Sequence, residues 1–120
     1  SSMDERLFTR GDIVFVENPL QEPHDHVFCG NHPAVIIQNQ KANAAAPNLI
    51  VAYLTSQLKR VELPTHVVFQ WYEGLKPSMV QCEQIATISK NDVLSYVTHL
   101  REEDMIRLDK ALRASLSLEV

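Results

Sequence analysis

Short apolar runs bounded by turn-forming residues recur through most of the chain, and they dictate what it can fold into. Ile13-Val14-Phe15-Val16 follows the turn residues Arg10-Gly11-Asp12, and Pro33 opens Ala34-Val35-Ile36-Ile37-Gln38. Leu49 to Leu54 is a third run, and Thr65-His66-Val67-Val68-Phe69 alternates as a fourth. Ser78-Met79-Val80-Gln81-Cys82 and Ile85-Ala86-Thr87-Ile88 follow the turn residues Gly74, Lys76 and Pro77. Each run has strand length and is rich in β-branched or aromatic residues, so each is predicted to be a short strand. The polar stretch from Asn18 to His32, with Pro19, Pro23 and Gly30, is predicted to be a long loop. Loops of that length in a small domain tend to be functional or mobile. Asn39 to Asn48 is predicted to be a second loop.

The last third changes character. Ser89 with Asp92 makes a capping-box pattern and predicts a short helix running to about Val97 or Thr98. Glu102-Glu103-Asp104 then place negative charge at the start of a second helix, where the helix dipole favours it. Met105, Leu108, Leu112 and Leu116 form one apolar stripe on that helix, and Arg107, Lys110 and Arg113 fall toward its cationic end. Strands first and helices last indicate an α+β domain. So many short strands suggest a curled antiparallel sheet or small SH3-like β-barrel, with the final helix packed on one side.

The chain has 120 residues, which suits one domain spanning 3–120. Apolar residues make up 45% of it, enough to build a core. Its apolar runs fall short of the roughly 20 residues that span a bilayer, so no membrane partner is expected. Ser1-Ser2 before Met3 read as an expression remnant, and the polar opening Ser1 to Arg6 is unlike a secretory signal. Two cysteines, Cys29 and Cys82, are too few for a disulfide scaffold, and a cytoplasmic protein with reduced thiols is expected. The net charge of −4 excludes non-specific duplex binding through the overall field, so any nucleic-acid contact must come from a local groove.

Six segments together resemble the MazF/PemK toxin family. Arg10 to Val16 is similar to that family's first strand, and Gly30-Asn31-His32-Pro33 with the apolar run to Asn39 resembles its Gly-x-Arg-Pro signature. Ile50 to Gln57 ends in the matching Thr55-Ser56-Gln57, and Leu63-Pro64-Thr65-His66-Val67 matches a further motif. Gly74 to Ser78 and Glu83-Gln84-Ile85 with Thr87-Ile88 complete the set. Each motif is weak alone, but six in the right order, over roughly residues 10–118, are hard to explain by chance. The resemblance implies a twofold homodimer that cuts single-stranded RNA without a metal, cofactor or ribosome. It also implies a MazE-like antitoxin whose disordered tail occupies the RNA groove, and DNA binding jointly with that antitoxin.

The resemblance further implies which residues do the work. Metal-free cleavage uses the ribose 2′-OH as nucleophile, so the protein must move protons and stabilise the phosphorane charge. The products would be a 2′,3′-cyclic phosphate and a 5′-OH. His32 and Thr55 are the implied catalytic residues, with His26, Phe28, Gly30, Pro33, Ser56, Gln57, Gln84 and Thr87 as substrate contacts. His32 departs from the family, which has Arg there. A guanidinium grips phosphate bidentately. An imidazole leaves two outcomes: it serves as acid or base, with an activity that falls off as the ring titrates, or the change cripples cleavage and leaves a module that binds RNA or antitoxin. A second departure is Ala86, where relatives often carry Arg.

The bland readings stand beside these. Thr55 alone would be a strand-end Thr bonded to its own backbone, and His32 a loop-end His without chemistry. Lys41, Lys59 and Arg60 are better read as solvated surface than as phosphate contacts, and Trp71 and Tyr72 as hairpin-end packing. His24, His26, Cys29 and His32 are zinc-compatible, but their spacing is too compressed for an ordinary structural site. Two other functions compete: a non-catalytic module that binds antitoxin or RNA, and a gyrase-poisoning CcdB-like toxin of the same architecture. The Thr55-Ser56-Gln57 and Leu63 to Val67 motifs argue against the second.

Overall fold

The computed structural model describes residues 7–17 and 31–118. They form strands β1 (Asp12–Val16), β2 (His32–Ile36), β3 (Asn48–Thr55), β4 (His66–Phe69), β5 (Ser78–Ser89) and β6 (Val93–His99). Helix α1 (Gln40–Ala45) lies between β2 and β3, and helix α2 (Glu102–Leu116) closes the fold. All six strands belong to one curled antiparallel sheet in the order β4-β5-β3-β2-β1-β6.

Both faces of the sheet are covered, which is why its central strands read as continuous apolar runs rather than clean alternations. Val35, Ala52, Leu54, Phe69 and Val80 pack on one face against Leu108, Ala111 and Leu112 of α2. Val14, Ala34, Ile36, Val51 and Tyr53 build a second cluster with Phe8 and Val93 on the other. The helical stripe is thus mostly satisfied within the chain: Leu108 and Leu112 are buried, and only its end, Leu116, is exposed. The predicted acidic first turn of α2 is present, and Arg113 stands in its last turn. The corner entering β1 needs a glycine. Gly11 has φ +97°, and a Cβ there would come within 2.5 Å of the Met105 sulfur.

Three expectations are corrected. The segment after Ser89 is not a helix to Val97 or Thr98. The capping box is real, but it closes one 3-10 turn, Lys90–Asp92, after which the chain extends as β6. Pairing with β1 outweighs the local cap, and the β-branched and aromatic residues Val93, Tyr96, Val97 and Thr98 suit a strand. The segment from Asn39 to Asn48 is not all loop. The Asn39 side chain accepts from the Ala42 amide and starts α1, whose alanines are strong helix formers. The last two predicted short strands are one continuous β5, irregular in its pairing with β3 between Ala52 and Leu54.

Candidate functional site

Strands β2 and β3 run antiparallel with Ala34 opposite Tyr53 and Ile36 opposite Val51. Continuing that register by two residues brings His32, the first residue of β2, level with Thr55, the last of β3. Side chains alternate along a strand, so both lie on the Tyr53 side of the sheet. The His32 ring meets the Tyr53 ring edge-on, with centroids 6.4 Å apart. Burial, and then the nearby Asp92 charge, hold the Tyr53 hydroxyl above its ordinary pKa, so it stays protonated.

A cleft of about 330 Å³ opens where these strand ends meet, and His32, Pro33, Thr55, Ser56 and Gln57 all line it. Phe15, Leu54, Leu75 and Val97 give it apolar walls. Gly74, Lys76 and Ser78 reach it from the hairpin loop joining β4 to β5. Among the described residues no Asp or Glu lines it.

The Thr55 hydroxyl accepts a hydrogen bond from the Gln57 amide, 3.1 Å away. The backbone-satisfying role foreseen for a strand-end Thr is therefore real. It does not exclude chemistry, because a hydroxyl also has one hydrogen to donate and that bond uses only an acceptor site. The bond anchors the oxygen and leaves the O–H available to a ligand.

The remaining predicted residues fall elsewhere. Gln84 and Thr87 do not line the cleft: Thr87 pairs with Ile50 toward the opposite end of β3 from Thr55, and Gln84 sits in the irregular stretch of β5. Their motif lies on a strand that reaches the cleft only at its beginning, Ser78. His26, Phe28 and Gly30 lie outside the described residues, as do His24 and Cys29. Lys41, Lys59 and Arg60 are exposed and do not line the cleft, and Arg60 pairs with Glu62. Tyr72 packs as foreseen, but Trp71 does not: it is 85% exposed with φ +70°. Among the described residues no group of three or more His, Cys, Asp or Glu side chains could hold a metal. Nor is any helix among them long and apolar enough to cross a membrane.

Phe15, Gly74, Leu75, Lys76, Ser78 and Val97 were not anticipated as cleft residues. The Gly74 to Ser78 segment was visible as a turn and as one of the family motifs, but with no site role; what brings it to the cleft is the fold of the hairpin over the sheet. His66 and Cys82 serve the scaffold. The His66 ring nitrogens face the Arg60 carbonyl at 2.9 Å and the Glu83 carboxylate at 2.8 Å, tying the segment before β4 to β5. Burial raises the pKa of the Cys82 thiol to about 12, with a further push from the Glu83 charge, so this cysteine is not a nucleophile.

On geometry alone the molecule is a small curled-sheet protein with a polar-lipped, apolar-walled cleft at the carboxyl end of a central strand. Comparison with known proteins makes the assignment specific. Residues 9–116 match the family described as PemK-like, MazF-like toxin of type II toxin-antitoxin systems, and the chain belongs to that family. Endoribonuclease EndoA of Bacillus subtilis is 37% identical over 115 residues, covering 93% of this chain and 97% of that protein. Endoribonuclease MazF of Staphylococcus epidermidis is 36% identical, covering 93% of each chain. The crystal structure of MazF from Deinococcus radiodurans shares the fold with a TM-score of 0.78 at 15% identity, covering 94% of this chain and 99% of that one. A mycobacterial endoribonuclease solved in complex with its cognate antitoxin does so with a TM-score of 0.77 at 21% identity, covering 92% and 96%.

Proposed function

We propose that this toxin is a metal-independent endoribonuclease that cuts single-stranded RNA in the cleft between His32 and Thr55. The observation that carries the reading is the register of β2 and β3, which puts an imidazole and a hydroxyl level across one cleft. The family membership supplies the reaction class, since both curated relatives are named endoribonucleases.

In this reading the 2′-oxygen forms a bond to phosphorus as the bond to the 5′-oxygen breaks. The 2′-oxygen loses a proton and the 5′-oxygen gains one, leaving a 2′,3′-cyclic phosphate and a 5′-OH. His32 carries one of the two proton transfers. Thr55 donates its hydroxyl hydrogen to a non-bridging oxygen, where negative charge grows in the transition state. Pro33, Ser56 and Gln57 shape the lip of the cleft. The apolar walls exclude water, which strengthens both interactions. Dependence on a 2′-OH makes RNA rather than DNA the substrate.

The functional unit is a twofold homodimer in the cytoplasm. Its partner is a MazE-like antitoxin whose disordered tail competes with RNA for the groove. Exposed Ile50, Leu116 and Leu118 give the chain apolar surface for such contacts. The non-catalytic alternative is not favoured, because the relatives it would have to diverge from are nucleases by name.

The test is to incubate the purified chain with a mixed-sequence single-stranded RNA in EDTA and analyse the new ends. Cyclic-phosphate and 5′-OH termini are expected, and His32→Ala should lower the rate by about 100-fold or more. Intact RNA with the unaltered chain would refute the nuclease reading. Full activity in His32→Ala would remove that residue from the mechanism.

A further inference from the structure

The cleft has one feature that His32 and Thr55 leave unused: among its described lining residues Lys76 is the one Lys or Arg, and none is a carboxylate. Several of the chain's other cations are engaged by neighbours. Arg10 pairs with Asp109, Arg60 with Glu62, and Arg101 and Arg107 with Asp104. The Lys90 ammonium donates to the Asn43 carbonyl. Among the described residues the Lys76 ammonium has no ion pair or hydrogen bond, and its side chain is exposed.

The loop that carries Lys76 is built rather than slack. It joins Phe69 of β4 to Ser78 of β5, which face each other across the hairpin. Tyr72 bridges to Leu75 within it, and Gly74 makes the tip with φ +82°, close to Val97. The Ser78 hydroxyl donates to the Lys76 carbonyl at 2.8 Å, fixing the end of the loop. At the other end the Arg101 guanidinium stacks on the Tyr72 ring and donates to the Gln70 and Trp71 carbonyls. The buried Asp104 carboxylate holds both Arg101 and the Tyr72 hydroxyl. This clamp also accounts for the left-handed backbone at exposed Trp71, a conformation that persists only where its surroundings enforce it.

A chain of net charge −4 has no overall attraction for a polyanion, so grip must come from a fixed local charge. We infer that Lys76 is a phosphate-binding residue of the RNA cleft, presented by the clamped hairpin loop to the backbone of the strand lying between His32 and Thr55. This rests on the reading of the cleft as the RNA site. Lys76 supplies the permanent cation there, while His32 is left to proton transfer.

The test is binding of a fully 2′-fluoro oligonucleotide, which lacks the attacking hydroxyl, measured by anisotropy across a range of salt concentrations. Lys76→Gln should weaken binding about tenfold and reduce the slope of log affinity against log salt by about 0.7, the value for one phosphate contact on a single strand. Lys76→Arg should keep the slope. Lys59→Gln, which removes an exposed charge outside the cleft, should leave affinity and slope unchanged. Unchanged affinity and slope in Lys76→Gln, or an equal loss in Lys59→Gln, would overturn the inference. If the unaltered chain binds this probe through Lys76 but leaves natural RNA intact, the nuclease reading fails and the Lys76 contact stands. If it does not bind the probe at all, both fall.

Discussion

At the scale of single residues, the proposed chemistry turns on how two side chains are oriented by their neighbours. The Thr55 hydroxyl has one acceptor site engaged by the Gln57 amide, which anchors the oxygen and leaves its hydrogen available to a ligand. An isolated hydroxyl on a flexible side chain would have to be ordered by the substrate, at an entropic cost that falls on the reaction. Thr55→Ala should therefore lower kcat by about 100- to 1,000-fold, the usual loss when one transition-state donor is removed. Thr55→Ser keeps the hydroxyl and should lose less than about tenfold. Steady-state kinetics on a fluorogenic RNA would check both, and equal loss in the two variants would show that the hydroxyl is not what matters. His32 is placed by a different device: its strand position is fixed by β1 on one side and β3 on the other, with the Tyr53 ring against it.

At the scale of elements, the segment leading into β4 is held by one buried histidine. His66 is buried, and its partner Glu83 stands on β5. Burial alone would raise the Glu83 pKa, but the His66 hydrogen bond, with its own backbone amide, the His66 charge and Thr65, outweighs that and holds it below the ordinary 4.5. A carboxyl with a depressed folded pKa contributes stability above its unfolded value, and loses it as pH falls through the folded one. The unaltered chain should thus lose stability below about pH 4.5 more steeply than Glu83→Gln. The Glu83 side chain is 46% exposed, so the difference should be on the order of 1 kcal/mol or less. Urea titrations at several acidic pH values would measure it, and identical pH profiles would contradict it. The same scale shows what the sequence alone could and could not reveal. The runs that became β1 to β4 were legible because each is a self-contained burst of β-branched residues, and α2 was legible from its stripe and acidic start. β6 was not, because a genuine capping box at Ser89 looks the same whether it opens a long helix or a single turn; only the open edge of β1 decides. In the cleft, His32, Pro33, Thr55, Ser56 and Gln57 were legible from their motifs. Lys76, Phe15 and Val97 were not, because their place depends on β4–β5 and β6 curling around the ends of β2 and β3.

At the scale of the whole molecule, a small sheet covered on both faces serves as a rigid frame that leaves one opening where two central strands end. The frame explains how an acidic protein can act on RNA. Among the described residues the cleft is lined by a lysine and no carboxylate, whereas several arginines of the chain are paired with acidic neighbours. The most direct measurement is a crystal structure of the protein bound to an oligonucleotide that lacks the 2′-OH throughout. The account predicts a backbone phosphate in the cleft with one non-bridging oxygen within hydrogen-bond reach of the Thr55 hydroxyl and the sugar 2′-position facing the His32 ring. Nucleic acid bound along another face, with this cleft filled only by solvent, would contradict it.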